Sequence, residues 1–186
     1  MLYKCAKITM KKIVFVFAIL LLFCNLSAQK KFSFLKEIKI FDVEIDYSKA
    51  WLKSKKAHTF FALENLENAE FEENYKNEML IKFVKYSNFP LPSKYSIGLD
   101  TLNAEYKIVV TIIAVGSNGN TDAVISIVKI DSKEIISMFS AYGRGGTFGS
   151  FTNLSGDGMT RLGTQVGNLF ARKIGRTETA PKTGYY

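Results

Sequence analysis

Cysteine is nearly missing from this chain of 186 residues, which holds two, Cys5 and Cys24, both within the first 28 positions. None follows Ala28, which excludes a disulfide scaffold, a thiol nucleophile, a zinc ribbon and an iron–sulfur cluster, since each needs sulfur as cross-link, nucleophile or ligand. Histidine is scarcer still: His58 stands alone, in the lysine-rich run WLKSKKAH. A Ser-His-Asp triad needs its imidazole held by a buried carboxylate, and this setting reads as surface instead. With three prolines and no Ser-rich stretch there is no visible linker, so one domain is expected at this length. The net charge of +8 is also less than it looks. Four lysines and no acid lie in the first 28 residues, leaving +4 for the rest, which gives no argument for a nucleic-acid partner.

Those four lysines (Lys4, Lys7, Lys11, Lys12) precede eleven apolar residues, Ile13 to Phe23, and then Asn25-Leu26-Ser27-Ala28. That is the layout of a secretory signal peptide over residues 1–28, with Met1 or Met10 as the start. Eleven helical residues rise about 16 Å against a hydrocarbon core of about 30 Å, so no stable membrane span is expected once the leader is removed. Phe23 stands where lipidation at Cys24 would want a small residue. The expected localisation is therefore exported, periplasmic or secreted.

In the remaining chain the hydrophobic period assigns the elements. Ile38, Ile40, Val43, Ile45 and Tyr47 approximate a period of two with a slip near Phe41-Asp42, predicting a bulged first strand over Glu37–Tyr47. Phe71, Tyr75, Met79 and Phe83 recur every four residues, predicting a long amphipathic helix from Asn68 to Tyr86 that stops before Pro90. Tyr106–Val115, Asp122–Ile130 and Glu134–Ala141 are rich in β-branched residues and joined by short turns, predicting an antiparallel meander. Met159, Leu162 and Val166 predict a last helix from Asp157 to Ile174. The stretch from Ser48 to Leu66 fits neither period cleanly. The expected fold is α+β, a mostly antiparallel sheet with two helices packed on one face, in a domain over 29–176, with a disordered tail at 177–186.

Asp46-Tyr47-Ser48, Ala104-Glu105-Tyr106-Lys107-Ile108-Val109-Val110 and the glycine-rich Gly143-Arg144-Gly145-Gly146-Thr147-Phe148-Gly149-Ser150 resemble a loose set of bacterial exported proteins, namely the TolB N-terminal domain and the CsgG-like periplasmic domain. The resemblance covers roughly Glu37 to Gly175 and implies a sheet closed by a final helix in an envelope compartment. It implies no catalytic residue.

Three constellations remain. The glycine loop offers Gly143, Arg144, Gly145 and Gly146 as a candidate ligand-binding set, because backbone amides before a helix can cradle an anion and Arg144 supplies charge. Its spelling matches no phosphate-loop motif, and close backbone approach is the plainer use of its glycines. Asp42, Glu44 and Asp46 share one strand face, a pattern that suits calcium or an acid and base pair but more simply marks a solvated face. Lys53, Lys55 and Lys56 beside Trp51 suit an acidic surface or a plain solvated loop. Gly163 and Gly167, four apart in the last helix, allow a close backbone approach. No catalytic residue, cofactor or metal site is expected. The reading is a non-enzymatic envelope protein, a binding or assembly module with an envelope protein partner and an undetermined oligomeric state. The alternative is a carboxylate-dependent hydrolase or glycan-acting enzyme, which would need Asp100, Asp122 or Asp157 across a pocket from the β-strand acids.

Overall fold

The alternation of Ile108, Val110 and Ile112 with Lys107, Val109 and Thr111 makes Tyr106–Val115 the centre of the sheet in the computed structural model, which describes Leu35 and residues 38–98 and 102–174. The expected leader (1–28), Asp100 and the tail (177–186) lie outside the described residues. In chain order the elements are β1 (Ile40–Asp46), β2 (Trp51–Leu52), β3 (Lys55–Lys56), α1 (Ala57–Glu67), α2 (Phe71–Asn88), β4 (Ser96–Ile97), β5 (Tyr106–Val115), β6 (Thr121–Lys129), β7 (Ile135–Gly143) and α3 (Phe151–Ile174).

The fold is α+β, and the meander β5-β6-β7 is antiparallel as its turn chemistry predicts. Two features differ from expectation. The sheet is mixed, because β1 and then β2 pair parallel to β5 and β4 pairs parallel to β1. Parallel neighbours require a crossover, and α1 and α2 supply it between β1 and β4. There are three helices among the described residues rather than two, since residues 48–66 fold as a β2-β3 hairpin followed by α1. The hairpin turn holds Lys53 and Ser54 at φ 47° and 65°, a left-handed geometry usually signalled by Asn or Gly, so its sequence gave no warning.

The slip in β1 also lies elsewhere. Phe41 to Asp46 pair with β5 in unbroken register, and the interruption comes at 47–50, after which Trp51 resumes beside Ala114. The last helix begins six residues before its predicted start. The Ser150 hydroxyl accepts the Asn153 N–H at 3.2 Å, an N-cap, and the Gly-rich first turns carry no apolar period to announce themselves.

The core lies between the helices and the sheet face bearing Phe41, Ile108, Val110, Ile112, Ile125 and Ile127, all buried. Met79 and Phe83 of α2 and Leu162, Val166 and Phe170 of α3 fill it, each worth about 1.5–3 kcal/mol by removal from water. At the α1 end, Tyr47, Phe60, Phe61, Phe71, Tyr75 and Phe151 form a continuous aromatic cluster with edge and stacked contacts 5.2–6.1 Å apart. Helices α2 and α3 touch backbone to backbone. A Cβ on Gly167 would stand 2.2 Å from the Ser87 carbonyl oxygen, and one on Gly163 would stand 2.5 Å from that of Phe83, so both positions exclude any side chain. No described helix is long and apolar enough to cross a membrane.

Candidate binding surface

Backbone direction in β7 decides what its outer edge can do. In an antiparallel ladder a residue turns its N–H and C=O both towards one neighbour or both away from it. Tyr142 turns both outward, where the side-chain amide of Gln165 on α3 meets them: Nε2 donates to the Tyr142 carbonyl at 2.6 Å, and Oε1 accepts the Tyr142 N–H at 3.4 Å. Gln165 thus stands in for a neighbouring strand at one residue. Ser140 has the same parity and is exposed, and its outward N–H and C=O have no partner among the described residues. Among the described residues β7 has no paired strand beyond β6.

Gln165 also divides the β7–α3 rim into two open grooves. The first, about 640 Å³, is lined by Phe139, Ser140, Ala141, Gln165, Asn168, Leu169 and Arg172. It combines the open main-chain groups of Ser140 with an apolar floor. The second, about 600 Å³, is lined by Tyr86, Tyr142, Arg144, Asp157, Thr160, Arg161, Thr164 and Gln165.

Arg144 therefore does line a groove. The glycines around it serve packing: a Cβ on Gly143 would stand 2.0 Å from the Gly158 carbonyl oxygen, and one on Gly145 would stand 2.0 Å from that of Asn118. Their amides are also engaged, the Gly145 N–H by Asn120 Oδ1 at 2.8 Å and the Gly146 N–H by the Leu154 carbonyl at 3.4 Å. A ligand here would meet the Arg144 guanidinium rather than a cradle of loop amides. Arg161 was not singled out by sequence reasoning, because its place beside Arg144 depends on how α3 packs.

The remaining candidates lie apart from this rim. Asp42, Glu44 and Asp46 are on the sheet face opposite the helices, where the Lys107 ammonium sits 3.4 Å from Asp42 and 3.0 Å from Glu44. That contact, led by the Glu44 hydrogen bond, raises the Lys107 pKa. Asp46 accepts the Ser48 N–H at 2.8 Å instead. No group of three or more His, Cys, Asp or Glu among the described residues is arranged to hold a metal ion. His58 is exposed on α1, and Lys53 lays its ammonium 4.6 Å from the Phe151 ring centroid. The Gly163 and Gly167 approach is to α2.

No family model matches the chain, and no curated protein matches it. Among solved structures it is similar to the PelC dodecamer from Paraburkholderia phytofirmans, with a TM-score of 0.37 and 10% identity over 69% of this chain and 85% of that one. It is likewise similar to a Xanthomonas campestris protein of the DUF330 family, with a TM-score of 0.36 and 7% identity over 70% of this chain and 84% of that one. These bacterial proteins are a different set from the TolB and CsgG-like families whose motifs the sequence resembles.

Proposed function

We propose that the chain is an exported, non-enzymatic binding module of the bacterial cell envelope that takes an extended segment of a partner protein as an added strand on β7. One observation carries this reading: among the described residues β7 is nine residues long, paired with a strand on one side only, and covered on the other by a side-chain amide at Tyr142 but not at Ser140. An added strand gains affinity from such main-chain groups and specificity from neighbouring side-chain pockets, here the groove floored by Phe139 and Leu169. Export rests on the leader pattern of residues 1–28. The hydrolase reading has less support, because Asp157 is the one acid lining either groove and the β1 acids stand on the opposite face of the sheet.

The test is cross-linked capture of the C-terminally tagged full chain in cells of its source organism, comparing wild type with Ser140→Pro. Proline there deletes an N–H that the fold does not use, so the domain stays intact while the docking bond is lost. The expected result is a reproducible envelope partner captured by the wild type and lost with Ser140→Pro. Bait alone in both cases, or capture unaffected by the substitution, would overturn the reading.

A further inference from the structure

The second groove, lined by Arg144 and Arg161, holds a charge arrangement that the fold does not use. On α3, Asp157, Thr160, Arg161 and Thr164 fall at i, i+3, i+4 and i+7, a polar stripe on one helix face. Asp157 and Arg161 have the spacing that ordinarily pairs on a helix, as Glu72 with Lys76 and Glu78 with Lys82 do on α2. They do not pair. The Asp157 carboxylate lies instead over Gly146, where a Cβ would come 2.3 Å from its Oδ2, so the missing side chain at Gly146 gives the acid its place. Neither Arg144 nor Arg161 is ion-paired to another described residue, and both are exposed. Tyr86 of α2 and Tyr142 of β7 complete the walls.

We propose that this groove binds a sugar acid, a segment of a uronate-containing saccharide. The two guanidinium forks match a carboxylate, for which their planar donor geometry is suited. Asp157 and Thr160 supply acceptors for ring hydroxyls, and Tyr86 supplies flat apolar surface for the C–H face of a sugar. A bare phosphate would satisfy the arginines but leave the Asp157 and Thr160 acceptors without hydroxyls to bind, and a neutral sugar would leave the arginines unmatched. A volume of about 600 Å³ lies within the range of small-ligand sites, and the open shape suits a chain passing through rather than an enclosed monomer. This site goes beyond strand addition on β7 and does not depend on it.

Calorimetric titration of the purified full-length chain with trigalacturonate, maltotriose and sodium phosphate tests the assignment. Saturable binding of trigalacturonate is expected, with maltotriose and phosphate much weaker. Arg144→Ala and Arg161→Ala should each weaken it roughly tenfold or more, the effect of losing one charge-assisted contact. Asp157→Asn should strengthen phosphate more than trigalacturonate, because only the sugar loses a charged acceptor for its hydroxyls along with the repulsion. Because all three side chains are exposed, thermal melts of the variants should match the wild type, and Ser140→Pro should leave the titration unchanged. Absence of saturable trigalacturonate binding, phosphate binding as tightly, or arginine variants binding like the wild type would overturn the proposal. Bait alone from wild-type cells with an intact titration would locate failure in strand addition alone.

Discussion

The sheet ends at β7 on one side and at the short strands β4 and β3 on the other, and β7 and β4 are treated in opposite ways. At β4 the exposed length is two residues, and Asn88 at the end of α2 covers it: its Nδ2 donates to the Ile97 carbonyl at 2.7 Å, and its Oδ1 accepts the Ile97 N–H at 2.9 Å. Ile97 is completely buried. At β7 the same device, a side-chain amide from the neighbouring helix, covers Tyr142, with one bond of 2.6 Å and one of 3.4 Å, and leaves Ser140 open. An uncovered strand edge is a template for pairing, and proteins ordinarily blunt it by shortness, charge or cover. The β4 edge is blunted twice over, by shortness and by cover, whereas β7 is nine residues long and leaves Ser140 open, which is why the partner site is assigned there.

Asn88→Ala should produce the largest effect. It removes bonds to the buried Ile97 backbone and to the Val84 carbonyl, and should cost about 2–3 kcal/mol, the penalty of leaving buried polar groups unpaired. Urea melts measure it, and a loss below about 0.5 kcal/mol would mean that the β4 edge is not closed by this amide. Gly167→Ala should cost about 1–3 kcal/mol by forcing α3 away from Ser87. Because Gln165 lies two residues away on the same helix, that shift should also loosen Tyr142, seen as faster amide exchange there. Gln165→Ala should cost under about 1 kcal/mol, since its amide is exposed, yet should lengthen the open edge. Greater self-association in sedimentation is the expected readout, and unchanged behaviour would show that the Gln165 cover is idle.

A pH series separates both edges from the aromatic end. Burial pushes the Tyr75 hydroxyl up to about 12, against an ordinary value of 10.0, with Ser155 pulling the other way and Glu78 adding to the rise. Tyr47 is raised too, by burial and then by Tyr75. The folded chain holds these protons more tightly than the unfolded chain, so their contribution is complete below pH 10 and is lost as pH climbs from 10 towards 12. The Tyr47 hydroxyl is buried with no hydrogen-bond partner among the described residues. Tyr47→Phe should therefore be neutral or stabilising by up to about 1 kcal/mol at neutral pH, and should shift the alkaline midpoint upward.

Local pattern was legible in the sequence where one element carried its own signal. The four-residue step from Phe71 to Phe83 marked α2, and β-branched runs with short turns marked β5, β6 and β7. What was not legible depends on distant neighbours. The parallel pairing of β1 with β5 joins residues about 65 apart in sequence, and no local period encodes it. Asn88 reads as the residue that ends a helix, Gln165 as one polar position on α3, and Arg161 as a solvated charge. Their roles appear once the topology sets Ile97, Tyr142 and Arg144 beside them. Arg144 was found because the glycines around it drew attention, although those glycines serve packing.

Amide hydrogen exchange of the full chain, read residue by residue by NMR in the absence of a partner, tests the asymmetry of the edges most directly. The account predicts slow exchange at Ile97, at Phe139 and at Ala141, intermediate exchange at Tyr142, and exchange at Ser140 near the rate of an unprotected amide. Protection of Ser140 comparable to that of Ala141 in the monomer would contradict it, because β7 would then already be covered and have no edge to offer.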